Sequence, residues 1–427
     1  AESGFEHFMY SCSIMLYSGG DGIPVDKKEA AKYIKMSADN KNTESMYIYG
    51  LMLRDGEGIA ADKKEAAKYL KMGADNGNVD SMHEYADMLY NGDGIAVDKK
   101  EAAKYYKMGA DNGNADSMHG YAYMLHYGIG IPVDAKEAIK YYKMAIDKNH
   151  FGSMHNYGLM LKDGLGCPVN KEEGAKYIKK SAENGDYKAM YNHANNLLNG
   201  DGIPLDKKEA AKYYKMAADK GHIEAMFYYG WMLFNGDEIP QDKKNAFRYF
   251  KMSADHGCTE AFFYYGCMLI NGEVSPPNKE EGMKYVKKAA DLDYPKAMGF
   301  YAMKLDEEND KKTAAKYYKM AADKGDSDSM YCYGDMLFTG DGIPANKKEA
   351  AKYLKKAADN GVIEAMSIYS NMLLEGDGIP INEKEAANYL KIMADKGDKV
   401  SMLNYGVLLM TGNAIHINKN EGIKYIK

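Results

Sequence analysis

A methionine recurs every 36 residues along much of the chain, and this period constrains the fold more than any other feature. These anchor positions are Met46, Met82, Met118, Met154, Met190, Met226, Phe262 and Met298, and after one shorter step Met330, Met366 and Met402. A fixed period of this size is the signature of a repeat protein. Stacked repeats form a solenoid with an extended surface, so the period favours binding over catalysis.

One repeat, residues 81–113, shows the local structure that the period encodes. Apolar or small residues recur with helical spacing at Met82, Tyr85, Ala86, Met88 and Leu89. This spacing predicts a first amphipathic helix, helix A, which ends at Gly92. Asp98 and Glu101 then form the pattern of a capping box, in which Asp98 caps helix B and Glu101 reaches back.

The residue four places after each anchor is always glycine, alanine or serine. Gly158, Gly230 and Gly266 are examples. A glycine inside a helix costs about 1 kcal/mol relative to alanine, so its recurrence predicts that a neighbouring helix approaches closely.

These residues resemble the Sel1-like repeat, a relative of the tetratricopeptide repeat. One repeat carries the family pattern at Ala225, Tyr229, Gly230, Leu233, Gly236, Ile239, Asp242, Asn245, Ala246, Tyr249, Lys251, Ala254 and Gly257. The resemblance implies an all-α fold, a right-handed αα-superhelix (solenoid) of about eleven to twelve Sel1-like helix-pair repeats. It also implies a scaffold, adaptor or regulatory role and brings no catalytic residues. We therefore expect residues 1–427 to form a single solenoid with an irregular, shortened unit at about 272–330, as a segment of a longer chain.

Composition excludes several function classes. The 62 acidic and 56 basic residues give a net charge of -6, without the basic excess typical of nucleic-acid binding. No apolar run approaches the roughly 20 residues that a membrane-spanning helix needs, so we expect no direct membrane insertion. The five cysteines follow no repeat spacing, which indicates free thiols and a cytoplasmic location.

Candidate chemical sites have simpler explanations. His83, His119 and His155 share one position of helix A, but equivalent positions on packed helices lie about 8–10 Å apart. Zinc needs histidine nitrogens at about 2 Å, so we interpret these residues as a polar, partly exposed face. The Gly-Asp-Gly loops offer one carboxylate each, too few for calcium. We expect no enzyme activity, no metal and no cofactor.

The predicted partner-binding site lies on the concave helix A face, where residues vary between repeats. Two successive repeats carry bulky or thiol side chains there, flanked by acids: Phe227, Trp231, Phe234, Phe263, Cys267, Ile270, Glu224 and Glu260. Aromatic anchors dominate interface energies, so we expect this patch to bind protein or peptide segments that carry basic and aromatic residues. The alternative is that the patch packs against the irregular neighbouring repeat.

The sequence favours a non-catalytic protein–protein interaction scaffold or adaptor. Three alternatives stay open: a structural component of a large assembly such as the cytoskeleton, a regulatory repeat region of a larger enzyme such as a kinase, and an adaptor in endoplasmic-reticulum quality control. The free cysteines and the lack of Asn-x-Ser/Thr glycosylation sites disfavour the last one.

Overall fold

The computed structural model describes residues 2–19, 24–274, 276–412 and 416–426, with the side chains of residues 2–9 excepted. This part of the chain contains 24 α-helices and no strand, which confirms the predicted all-α class. Residues 1–225 and 226–427 form two compact units, here called the first unit and the second unit. The prediction of a single solenoid over residues 1–427 stays a prediction.

The helices run in chain order, and odd numbers are helices A. The first twelve are α1 Glu2–Ser18, α2 Lys27–Asp39, α3 Thr43–Asp55, α4 Lys63–Asp75, α5 Val79–Asn91, α6 Lys99–Asp111, α7 Ala115–Tyr127, α8 Ala135–Asp147, α9 Phe151–Asp163, α10 Lys171–Glu183, α11 Tyr187–Asn199 and α12 Lys207–Asp219. The others are α13 Ile223–Asn235, α14 Lys243–Asp255, α15 Thr259–Asn271, α16 Lys279–Asp291, α17 Pro295–Glu307, α18 Lys311–Asp323, α19 Ser327–Thr339, α20 Lys347–Asp359, α21 Ile363–Glu375, α22 Glu383–Asp395, α23 Lys399–Thr411 and α24 Lys419–Ile426.

Local sequence sets the ends of these helices. The Asp98 carboxylate accepts a hydrogen bond of 2.9 Å from the Glu101 N–H, which satisfies a free donor at the start of α6. The predicted return bond from Glu101 is wrong, because the Glu101 carboxylate pairs with Lys104 at 2.9 Å instead. Gly92 ends α5 with φ of 76°, a left-handed conformation that costs glycine little.

The core repeats a single packing arrangement. Anchors such as Met82 and Met154 are buried, as is the small residue four places later. The tyrosine three places after an anchor packs edge-to-face on a tyrosine of helix B; Tyr85 and Tyr105 have ring centroids 4.8 Å apart. Buried aromatic pairs of this geometry add stability beyond their apolar area, about 0.5–1.5 kcal/mol each.

The recurrent glycines mark close helix crossings, as predicted. A Cβ atom added to Gly158 on α9 would lie 2.7 Å from the carbonyl oxygen of Gly174 on α10. The same crossing recurs in the second unit, where a Cβ on Gly266 would lie 2.8 Å from the Gly282 oxygen. At Gly230 the nearest atom is a ring carbon of Phe250, at 3.1 Å.

The short repeat of the second unit loses its residues between α17 and α18. Only residues 308–310 join these helices, whereas residues 92–98 join α5 and α6. Asn309 adopts φ of 67° in this turn, a left-handed conformation that asparagine tolerates better than most residues. Helix A and helix B of the short repeat therefore pair without the glycine-rich loop.

Candidate partner-binding surface

Phe227, Trp231 and Phe234 follow each other at intervals of four and three residues, so they lie along one side of helix α13. Phe227 is only 8% exposed, and its ring centroid lies 5.8 Å from Phe250 and 5.7 Å from Tyr264. The expectation that Phe227 is an exposed anchor is therefore wrong: the residue directly after the repeat anchor packs against the following helices. Phe227 therefore packs beneath the accessible side chains of this helix A surface.

The other two aromatic residues of α13 keep accessible surface. Trp231 and Phe234 are both half-buried. The Phe234 ring centroid lies 6.2 Å from Phe250, and the Lys243 ammonium sits 5.6 Å above the Phe234 ring. Trp231 is thus the aromatic residue of α13 that most resembles an interface anchor, because part of its side chain is covered and part remains accessible.

Helix α15 continues the aromatic surface through Phe263, which is half-buried. Its ring centroid lies 5.8 Å from Phe300 and 5.6 Å from Tyr294. The Cys267 thiol is half-buried and burial raises its pKa to about 12, so it stays protonated at neutral pH. Ile270 turns toward α16, since its Cγ1 would lie 2.6 Å from a Cβ on Gly282. Ile270 therefore packs against α16, whereas the binding role of Cys267 stays a prediction.

A chain of rings links the two helices A. Tyr264 contacts Phe227 at 5.7 Å and Phe263 at 5.2 Å between ring centroids, and Phe263 contacts Phe300. We call Phe227, Tyr264, Phe263 and Phe300 the ring chain. The sequence interpretation missed Tyr264 and Phe300. The available signal was that three successive repeats carry an aromatic residue two places after the anchor, at Tyr228, Tyr264 and Phe300.

The two predicted acids are exposed but fall in different units. Glu260 opens α15 in the second unit and accepts a hydrogen bond of 3.5 Å from the Cys258 thiol. Glu224 belongs to the first unit, where its carboxylate lies 3.3 Å from Nδ1 of His222. Of the two acids, Glu260 accompanies the ring chain within the second unit.

Of the three histidines of helix A, His83 and His119 are half-buried, as predicted for a partly exposed face, whereas His155 is buried. In the first unit His119 Nδ1 lies 3.0 Å from the Ser153 hydroxyl, and its ring lies 4.6 Å from that of His150. His155 is buried and its Nε2 accepts a hydrogen bond of 2.8 Å from the Asn192 amide. Burial is the main cause that lowers the pKa of His119, to about 3, so its ring is neutral at pH 7.

Two absences apply only to the described residues. Among them, no group of three or more His, Cys, Asp or Glu side chains has the geometry of a metal site. No helix within the ranges given above is long and apolar enough to cross a bilayer.

Similarity to known proteins agrees with this architecture. The model of the Sel1 repeat matches eleven segments: residues 7–42, 43–78, 79–114, 115–150, 152–186, 188–222, 223–258, 259–294, 298–326, 327–362 and 363–398. Helix pairs repeated in this way define a helical-repeat solenoid. The chain belongs to the Sel1 repeat family.

Solved structures show the same fold at low sequence identity. A protective antigen of uropathogenic Escherichia coli strains, c5321, is 21% identical with a TM-score of 0.81, and the match covers 100% of this chain and 91% of the antigen. A Sel1 repeat protein from Oxalobacter formigenes is 23% identical with a TM-score of 0.54, over 57% of this chain and 96% of that protein. No curated protein sequence matches this chain.

Proposed function

We propose that this protein is a non-catalytic interaction scaffold that binds a segment of a partner protein on the helix A surface of α13 and α15. The observation that carries the proposal is the ring chain with Trp231 at its side. Sel1 repeat solenoids are typically protein-interaction scaffolds, which supports the general class. The partner and the surface are our proposal.

The contacts of the surface suggest how it would bind. Trp231 and Phe263 offer partly covered aromatic faces on neighbouring helices A of one stack. Such faces release water on binding and supply most of the energy of an interface. Glu260 is exposed beside Phe263 and would favour a basic residue on the partner. The partner would thus be a protein segment with aromatic and basic anchors; a role within a larger complex or in the cytoplasm fits this proposal.

Trp231→Ala tests the proposal in a pull-down from native extract, compared by quantitative mass spectrometry with the wild type. Loss of a true anchor should weaken binding by at least about 2 kcal/mol. Tyr123→Ala is the matched control, because Tyr123 is a half-buried aromatic residue at the same register of α7 in the first unit. Partners captured equally by both variants and the wild type would exclude this surface.

Trp231 also allows a direct measurement, because it is the only Trp in the chain. Its fluorescence emission should shift to shorter wavelength when a captured partner segment covers the ring. Thermal melts of Trp231→Ala should resemble those of the wild type. A large loss of helicity in this variant would instead show that Trp231 is a packing residue.

A further inference from the structure

A glycine replaces a side chain at one point of the helix A surface of the second unit. The position directly after the anchor holds His119 in α7, and this side chain contacts Ser153, the residue before the next anchor, at 3.0 Å. In α17 the equivalent position is Gly299, and the serine across from it is Ser329 of α19. The contact made by His119 therefore has no counterpart here.

Ser329 is left with an unused hydroxyl. The residue is 1% exposed, and its Oγ has no hydrogen-bond partner among the described residues. A Cβ built on Gly299 would lie 2.7 Å from this Oγ and 3.3 Å from Oδ2 of Asp326. A buried hydroxyl without a partner is unfavourable, so a ligand group that hydrogen-bonds to it gains binding free energy. The hydroxyl points to the space that a side chain would fill.

The space is a pocket of about 420 Å³, which we call the Gly299 pocket. Phe263 and Phe300 form an aromatic wall, and Met303, 38% exposed, stands at the mouth. The volume falls within the range of about 300–1,000 Å³ found for ligand sites. The pocket is contributed by α15, α17, α18 and α19, so it belongs wholly to the second unit.

The charges that line the pocket are mainly negative. Asp326 and Asp328 both line it, and neither forms an ion pair with a described basic residue; Lys296 is the single basic residue of the lining. Asp326 Oδ2 accepts a hydrogen bond of 2.9 Å from the Ser329 N–H. Cys332 adds no charge at neutral pH, since burial raises the pKa of its thiol to about 11. The lining offers carboxylates and a hydroxyl beside two aromatic rings.

We propose that the Gly299 pocket binds the arginine side chain of a partner segment. A guanidinium group is planar and stacks on aromatic rings such as Phe263 and Phe300. Its five N–H groups donate hydrogen bonds in a fixed geometry, which suits the Asp326 and Asp328 carboxylates and the Ser329 hydroxyl. This inference rests on the proposed scaffold function, for which it names one anchor of the partner.

Short peptides test the pocket without the native partner. The probes are acetyl-Ala-Ala-X-Ala-Ala-amide with arginine, lysine or citrulline at X, added to the full chain. Binding is followed by the methyl NMR signal of Met303, assigned with Met303→Leu. We expect saturable shifts with arginine, and affinity at least about tenfold weaker with neutral citrulline, because charge-assisted hydrogen bonds are lost. Equal binding of arginine and citrulline would overturn the proposal.

Gly299→His supplies the decisive variant, because it rebuilds the pair that His119 and Ser153 form. It should reduce arginine-peptide affinity at least about tenfold, by occupying the pocket and the Ser329 hydroxyl. The matched control is Ser367→His, which places the same side chain at the same register of α21 on an exposed site. Unchanged peptide affinity in Gly299→His would refute the pocket.

A second variant covers the case in which Gly299→His does not fold. Asp328→Asn keeps the size of an exposed side chain and removes one carboxylate, so it should weaken the arginine peptide and leave citrulline unchanged. Tyr123→Ala, which alters α7 in the first unit, should bind the arginine peptide like the wild type. Failure of the peptide assays with a positive Trp231 pull-down would reject the pocket alone, and the reverse result would reject the Trp231 surface alone.

Discussion

In the first unit the position after the repeat anchor carries two imidazoles, those of His119 and His155, that bond to the next repeat, whereas the second unit carries phenylalanine in two successive repeats and then glycine. His119 reaches Ser153 and His155 reaches Asn192, whereas the buried hydroxyls of Ser81 and Ser117 in the same unit have no hydrogen-bond partner among the described residues. Phe227 and Phe263 instead join rings through Tyr264. Beside Gly299, Ser329 also lacks a hydrogen-bond partner among the described residues, and there the space next to the hydroxyl is not filled by a side chain of α17.

The difference teaches that one position of the repeat can serve opposite purposes on the same scaffold. The backbone and core of each unit follow the same rules, as the tyrosine pairs and glycine crossings show. Surface residues that form hydrogen bonds with each other hold successive repeats together, whereas residues whose rings stay partly accessible remain available for a partner. The contacts of His119 and His155 are thus packing contacts between repeats, while the binding role of the rings in the second unit stays a proposal.

The largest expected effect tests whether both units share the core. Gly158→Ala and Gly266→Ala should each lower the free energy of unfolding by about 2 kcal/mol, because the new Cβ meets a backbone oxygen at 2.7 or 2.8 Å and the helices must separate. Thermal melts measure the loss of overall stability, and hydrogen exchange of the backbone amides measures the loss within each unit.

Gly230→Ala is the matched control for these crossings. Its Cβ would meet the Phe250 ring at 3.1 Å, and no backbone oxygen is among the nearest atoms. The higher helix propensity of alanine, about 1 kcal/mol, offsets part of the strain. Equal destabilisation at all three sites would show that close backbone contact is not the cause.

The next prediction distinguishes the two units by the pH dependence of their stability. His193 is 2% exposed, packs on Tyr213 at 4.6 Å, and has a pKa lowered to about 4, chiefly by burial and then by Lys179, against an opposing effect of Glu209. In the unfolded chain the His193 imidazole binds a proton near pH 6.5, whereas in the folded first unit it stays neutral until the pH nears 4. Stability from this residue is therefore present above pH 6.5 and is lost progressively as the pH falls toward 4.

His193→Tyr sharpens this prediction. The other repeats carry tyrosine at the same register, such as Tyr157 and Tyr369, so the variant restores the common ring pair. Melts of the variant should lose part of their acid sensitivity between pH 7 and 4, while the second unit changes little in either protein. An unchanged pH dependence would show that His193 is not the responsible group.

The helices and core could be predicted from the sequence because burial follows helical spacing within each repeat. Met82, Tyr85 and Leu89 are buried as their spacing indicates. The periodicity says less about the position after the anchor, since its environment depends on the next repeat. Phe227 is buried by Phe250 and Tyr264, which lie 23 and 37 residues further along the chain.

The Gly299 pocket shows the limit of sequence interpretation more clearly. A missing side chain gives no positive signal, and Gly299 resembles the many other glycines of the chain. Only the atoms around it, Ser329 Oγ and Asp326 Oδ2, reveal that the space is lined by polar groups. The predicted partner-binding residues Trp231 and Phe263 lie on half-buried surface, and their binding role stays a prediction.

The smallest expected effect concerns a hydrogen bond that both units share. The Tyr105 hydroxyl donates to Asp75 at 2.6 Å in the first unit, and Tyr353 donates to Asp323 at 2.7 Å in the second. Each bond joins helices B of successive repeats and is partly exposed, so Tyr105→Phe and Tyr353→Phe should each cost about 0.5–1 kcal/mol. Both carboxylates keep a lysine partner: Asp75 pairs with Lys71 and Asp323 with Lys319.

Tyr177→Phe is the control, because the Tyr177 hydroxyl forms no hydrogen bond to any described residue, although its ring packs on Tyr157 at 5.0 Å like the others. The control should melt like the wild type, since the phenylalanine ring preserves the packing. Equal losses in Tyr105→Phe and Tyr353→Phe would support a helix B side that is the same in both units. A loss in only one of them would mean that the units differ in their inter-repeat bonds as well as in their helix A surfaces.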